Sequence, residues 1–237
     1  RVIDNSSAFR MDKKIKLIVP EINSKKLKKT DKIIANPNCS TTQLVLALSP
    51  IHKKYKIKRI IVSTYQAVVG TGYPALKQLE EEEQGRKKTK VYTKNIHRNI
   101  IPHCDEFEKN GYTKEEEKII NETNKILESN IKITATAVRV PTVGGHGESV
   151  NIELKKPCSI KKIVNILKKQ KGIIVEEDNN YKTPEETKSK NEVFVSRIRK
   201  DNSQKNSFNM WIVADPLRKG AATNAVQILE SLINLNN

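Results

Sequence analysis

The chain has 237 residues, enough to bury a proper core as one large domain or one and a half ordinary ones. Forty-four Lys and Arg against 27 Asp and Glu leave a net charge of +17, yet only 5% of residues are aromatic and the basic ones are scattered in pairs such as Lys13-Lys14, Lys53-Lys54 and Lys161-Lys162. That distribution argues against a nucleic-acid partner and is compatible with a small anionic substrate. Cys39, Cys104 and Cys158 are far apart, with no metal spacing and no CxxC, so no disulfide framework or metal site is expected; with no long apolar run and no signal-peptide pattern, the protein reads as soluble, cytoplasmic and without a membrane partner.

Val2-Ile3-Asp4-Asn5 opens like a strand already under way and the first glycine is Gly70, so a preceding portion of chain is expected. A short strand at Lys16-Leu17-Ile18-Val19, a turn, and a strand over 32–35 follow. Arg10, in the Ser-rich turn Asn5-Ser6-Ser7-Ala8-Phe9-Arg10, either receives an anion or is a solvated loop residue. Asn36-Pro37-Asn38 then stops the apolar run, and Cys39 stands where an amphipathic helix begins from Ser40, carrying Leu44, Ala47, Leu48, Ile51 and Tyr55, with Pro50 as a kink or break. Backbone N–H groups at a helix start favour a thiolate over a thiol and can face an oxyanion beside it; the bland alternative is a small buried Cys.

Residues 58–67 read as a β-branched strand ending at Gln66, a ladder-side amide or a substrate hydrogen-bonder. Val69-Gly70-Thr71-Gly72-Tyr73-Pro74-Ala75 matches G-x-G-x-x-A, but no apolar parallel strand follows and Glu80 to Glu83 come too early for a ribose-binding acid, so it reads as a flexible glycine turn near a site. An exposed charged loop is expected over 80–95, then a helix over the segment Thr113 to Leu127 with Thr113 placed to cap it, and with Ile119, Thr123, Ile126 and Leu127 on its apolar face. Glu115 and Lys118 share another face, which a solvent ion pair would explain.

The sharpest period-2 pattern runs from Ile131 to Val140 and brings Arg139 out at the end of an apolar row, where a guanidinium needs a fixed carboxylate or a ligand. In the glycine-padded loop 141–148, His146 reads as accessible rather than as a core histidine. A strand over 150–154, a Lys-rich helix over 160–170, an exposed loop over 176–190, strands 193–199 and 208–215 as a hairpin, and a small-residue helix start from Leu217 complete the chain.

Taken together, Asn36 to Gln43, Ser63-Thr64-Tyr65-Gln66-Ala67 and Arg139-Val140-Pro141 through Gly145-His146 resemble the aspartate-semialdehyde dehydrogenase family, and Asn5 to Arg10, Val19 to Asn23, Arg197 to Asp201 and Leu217 to Gln227 extend the likeness end to end. The resemblance implies an α+β catalytic and dimerisation domain with a mixed, largely antiparallel sheet, joined to the remnant of a Rossmann-like NADP-binding domain. Residues 1–38 would be that remnant, 39–214 the catalytic domain, and 215–237 a helix returning to the first. It makes Cys39 the acyl-thioester nucleophile and His146 the general acid/base. Gln66, Arg139 and Glu115 would bind substrate, Arg10 and Lys118 phosphate, and Val69, Gly70 and Pro216 the cofactor. The family's amino-terminal glycine fingerprint does not occur in the chain, and Pro216 stands where family members commonly carry Asn.

The implied reaction interconverts L-aspartyl 4-phosphate and L-aspartate 4-semialdehyde with NADP, in lysine, threonine, methionine and diaminopimelate biosynthesis, in a homodimer or dimer of dimers. The residue types suit it: an acyl phosphate exchanged for a thioester becomes a hydride acceptor, imidazole passes protons near neutral pH, and an Arg fork grips a carboxylate. Other phosphorylating aldehyde dehydrogenases with a Cys at a helix start, such as glyceraldehyde-3-phosphate dehydrogenase and N-acetyl-glutamyl-phosphate reductase, share much of this plan. A basic dimerising fragment without catalysis is the reading from another class.

Overall fold

A computed structural model describes residues 1–86 and 89–235. In chain order its elements are β1 (Val2–Asp4), β2 (Lys16–Leu17), α1 (Pro20–Asn23), β3 (Ile33–Ala35), α2 (Cys39–Tyr55), β4 (Ile57–Ala67), α3 (Tyr73–Glu83), α4 (Lys114–Leu127), β5 (Lys132–Val140), β6 (His146–Leu154), α5 (Ile160–Leu167), β7 (Ile173–Val175), β8 (Val193–Lys200), β9 (Ser207–Ala214) and α6 (Thr223–Asn234).

The three amino-terminal strands form a parallel sheet in the order β1-β3-β2. Both its sides are apolar: Ile228 and Leu232 of α6 pack with Ile18, Leu27 and Ile34 on one, and Val45 of α2 and Ile126 of α4 with Leu17, Val19 and Ala35 on the other. A second, six-stranded sheet has the order β5-β4-β6-β9-β8-β7, with β4 parallel to β5, β7 parallel to β8, and the three pairs between antiparallel. This is the mixed, largely antiparallel α+β plan expected from the sequence, and the hairpin expected for 193–215 is β8–β9.

The alternation along these strands sorts the sheet's two faces. Ile60 and Val62 of β4, Val150 and Ile152 of β6, and Met210 and Ile212 of β9 pack against Leu44, Leu48 and Ile51 of α2 and Ile163 and Leu167 of α5 in the main core. The opposite face carries Arg59, Ile61, Ser149, Asn151 and Asn209, half-buried or exposed, and Trp211 beside Tyr65.

Three local expectations are corrected. Pro50 does not break α2, which runs unbroken for 17 residues. Pro50 removes one N–H from the helix ladder, and Leu46, Leu48, Ile51 and Tyr55, on both sides of it, are buried in the same core, so packing outweighs the lost bond. The turn expected after Val19 is the short helix α1. Residues 80–83 are the last turn of α3, and Gln78, Glu81 and Glu82 accept backbone N–H groups of Thr89, Val91, Tyr92, Ile96 and His97, which fastens the following segment to the helix. Lys87 and Lys88 of that expected loop lie outside the described residues. Among the described residues no helix is long and apolar enough to cross a membrane.

Candidate active site

The Asn36-Pro37-Asn38 turn carries the chain from β3 into α2. Asn38 caps the helix, its Oδ1 accepting the Thr41 N–H at 3.1 Å, so Cys39 occupies the first helical position. Across from it lies Gly220, where a Cβ would stand 2.6 Å from the Cys39 Cβ, so any side chain at 220 would collide with the Cys.

Burial pushes the Cys39 thiol up to about 12 and the Glu115 carboxylate adds to the rise, while the Ser40 N–H, Arg139 and Arg10 pull the other way without prevailing.

One face of α4 looks at this turn. Glu115 is buried, which removes the solvent-pair explanation for it. Its Oε1 accepts Asn38 Nδ2 at 2.8 Å and Gln66 Nε2 at 3.0 Å, and its Oε2 accepts Lys118 Nζ at 3.3 Å. Lys118 also donates to Asp105 at 2.6 Å; burial opposes its charge, but Glu115 and Asp105 outweigh that and hold its ammonium above the ordinary range. Gln66, at the end of β4, donates to Ser40 Oγ at 2.6 Å as well, which leaves its carbonyl oxygen for a ligand. Arg10 reaches the same region from the β1–β2 connection and donates to the Asn5 carbonyl at 2.8 Å and to Glu122 at 3.2 Å.

The far wall is built by the ends of β4, β5 and β6. Arg139 stands beside Gln66 in the parallel β4–β5 register and donates from Nη1 to the Ala67 carbonyl at 2.8 Å. Its Nε is buried without a partner, and its guanidinium lies 5.9 Å from the centre of the Tyr92 ring, with no ion pair to a carboxylate among the described residues. Of the two options left open for this Arg, a fixed carboxylate and a ligand, the fixed carboxylate is absent among the described residues.

His146 corrects the expectation of an accessible loop histidine: it begins β6 and is 1% exposed. The glycines around it admit neighbours instead of solvent, Gly145 lying against Thr187 and Ala214, Gly147 against the Trp211 ring. The Ala67 N–H donates to His146 Nδ1 at 3.1 Å, which puts the neutral ring's proton on Nε2, the atom that Gly70 approaches. Burial, and then Arg139, push the imidazole down to about 3, so it is neutral at neutral pH.

One cavity of about 890 Å³ is lined by Arg10, Cys39, Gln66, Gly70, Glu115, Lys118, Arg139, His146 and Pro216. Nine of the ten residues singled out in the sequence thus meet, although they come from both ends of the chain. Val69 sits half-buried on the same turn as Gly70 without lining the cavity. Sequence reasoning passed over Asn38 and Glu122, whose carboxylate accepts both the Arg10 guanidinium and the Asn38 backbone N–H; helical spacing from Glu115 and Lys118 was the available signal for Glu122.

The family model for semialdehyde dehydrogenase, dimerisation domain, matches residues 48–219, and that for semialdehyde dehydrogenase, NAD binding domain, matches residues 1–30. The chain is 48% identical to an aspartate-semialdehyde dehydrogenase of Aquifex aeolicus, over 98% of this chain and 72% of that protein. It is 47% identical to one of Bacillus subtilis, over 99% and 73% respectively. Among solved structures, aspartate semialdehyde dehydrogenase II of Vibrio cholerae superposes with a TM-score of 0.94 at 41% identity, over 98% of this chain and 72% of that one; the same enzyme has been solved complexed with ASA.

Proposed function

The chain belongs to the aspartate-semialdehyde dehydrogenase family, and from that premise we propose that it interconverts L-aspartyl 4-phosphate and L-aspartate 4-semialdehyde with NADP through a thioester on Cys39. The observation that carries the proposal is the single cavity in which a thiol at a helix start, a neutral imidazole and a guanidinium without a carboxylate partner converge.

Arg139 grips the substrate's α-carboxylate, the negative group its buried fork lacks, in a bidentate geometry that Lys could not reproduce. The amino group lies toward Glu115 and the free oxygen of Gln66, and the phosphoryl group toward Arg10 and Lys118. The Cys39 sulfur then attacks the acyl carbon, loses its proton, and the acyl–oxygen bond to phosphate breaks, leaving an electrophilic thioester. In the observed pose His146 Nε2–H is a hydrogen-bond donor for the oxygen of each tetrahedral adduct on Cys39. For His146 to take the thiol proton at Nε2, its own proton must sit on Nδ1, which would end the bond that Nδ1 accepts from the Ala67 N–H.

A nicotinamide fits beside this pair in one respect that can be read from the residues. Gly70 and Gly220 present bare backbone next to His146 and Cys39, where any side chain would fill the space. Val69, Gly70 and Pro216 would hold the nicotinamide end, and NADPH, when bound, supplies the hydride that turns the thioester into the aldehyde oxidation level. The open face of the six-stranded sheet suits a second copy of the chain, giving a cytoplasmic homodimer or a dimer of dimers in aspartate-family amino-acid and diaminopimelate biosynthesis. Cys39→Ala is expected to abolish phosphate-dependent reduction of NADP by aspartate semialdehyde with the circular dichroism of the fold unchanged; turnover retained in that variant would remove Cys39 from the mechanism.

A further inference from the structure

The charged residues Glu115, Lys118, Glu122 and Lys125 recur along α4 at spacings of three and four, so they form one stripe down the helix. Its first two members face the cavity. The last two hold other parts of the wall. Glu122, 1% exposed, accepts Arg10 Nη1 on Oε1 at 3.2 Å and the backbone N–H of Asn38 on Oε2 at 2.7 Å. Lys125 donates to the carbonyls of Arg10, Asp12 and Ile15 at 2.6, 2.8 and 2.9 Å, pinning the segment that carries Arg10.

Arg10 and Asn38 lie in different connections of the amino-terminal sheet, yet they share one carboxylate. Arg10 is the anion-binding cation of the proposed reaction, and Asn38 is the cap that fixes the first turn of the Cys39 helix. From this juxtaposition we infer that Glu122 is a positioning residue that sets the Arg10 guanidinium and the Cys39 helix start in register, so that the phosphoryl group and the attacked acyl carbon of one substrate are met together. Only an ionised carboxylate satisfies both contacts. A Gln of the same size has one oxygen and one NH2, so one of its two neighbours, each a donor, faces another donor.

The inference rests on the reading of Cys39 and Arg10 proposed above, and the test separates the two. Iodoacetamide alkylation of Cys39 is followed at fixed pH against increasing inorganic phosphate, an assay that needs no cofactor. In the unaltered protein phosphate should slow alkylation; absence of that effect would sink the reading of the phosphate site itself. In Glu122→Gln the phosphate concentration for half-protection should rise about tenfold, and the alkylation rate without phosphate should change by a similar factor. Protection that is unchanged or tighter would show that Glu122 only neutralises Arg10, and would overturn the inference. Should the single variant fail to fold, Arg10→Gln/Glu122→Gln removes both charges. Compared with Arg10→Gln alone, it should leave phosphate protection unaltered yet still shift the phosphate-free alkylation rate through Asn38, and equal rates in those two variants would also overturn it.

Discussion

Glu115, Lys118, Glu122 and Lys125 of α4 are each answered by other groups of the protein, whereas Arg139 and Glu148, at the ends of β5 and β6, keep hydrogen-bonding atoms that nothing among the described residues answers. The charged side chains of the helix wall form a network that holds the Cys39 turn, Gln66 and Arg10, although Arg10 Nε and the Thr123 hydroxyl have no partner among the described residues. The strand wall has capacity left over. At Arg139 that capacity opens into the cavity, where a ligand carboxylate can use it; at Glu148 it lies in the core, where only a proton can.

If this contrast is right, the two walls should respond differently to conservative substitution. The largest effect is expected at Arg139. Arg139→Lys keeps the charge and removes the fork, so the KM for aspartate semialdehyde should rise about 100-fold while the denaturation midpoint moves little, because the side chain makes one direct hydrogen bond among the described residues. Unchanged kinetics would mean that this Arg serves the structure and that the strand wall is not the carboxylate site.

Cys39, between the walls, gives a smaller and graded effect. Because burial holds its thiol up to about 12, the fraction of thiolate should grow about tenfold per pH unit across the neutral range, and the rate of iodoacetamide alkylation with it. A rate that levels off below pH 8 would show instead that the Ser40 N–H, Arg139 and Arg10 outweigh burial, and that the helix start alone activates the sulfur.

The same contrast explains what could be read in the sequence. Cys39, Gln66, Arg139 and His146 end or begin regular elements, so a change of hydrophobic period or a glycine run marks each of them along the chain, and all four line the cavity. Glu122 carries only the fainter mark of helical spacing from Glu115 and Lys118, since its partners Arg10 and Asn38 lie 112 and 84 residues away. The state of His146 was misread for a related reason. Glycine beside a residue permits close approach, and only the fold decides whether water, a ligand or a Trp ring makes it. Pro50 and Glu81 show the remaining limit: a local rule about helix breakers or charged loops yields when enough buried or hydrogen-bonded neighbours hold the segment.

The smallest effect, and the one that isolates the unfinished part of the strand wall, is expected at Glu148. Its side chain is fully buried, and among the described residues both carboxyl oxygens, like the hydroxyl of Thr64 opposite it on β4, lack partners. Burial pushes this carboxyl well above the ordinary range; the Gln43 amide beside it pulls the other way but directs its N–H to the His146 carbonyl at 3.0 Å. The folded protein therefore keeps a proton on Glu148 that the unfolded chain releases once pH passes the ordinary carboxylate range. From there upward the native state binds more protons than the unfolded one, so stability falls as pH rises until the folded carboxyl itself ionises. Glu148→Gln has no proton to lose, so the difference in unfolding free energy between variant and unaltered protein, from urea midpoints, should grow in the variant's favour by about 1 kcal/mol or more between pH 5 and pH 8. A difference that stays flat across that interval would mean that Glu148 is ionised and partnered in the folded protein, and the contrast between the two walls would then be confined to Arg139.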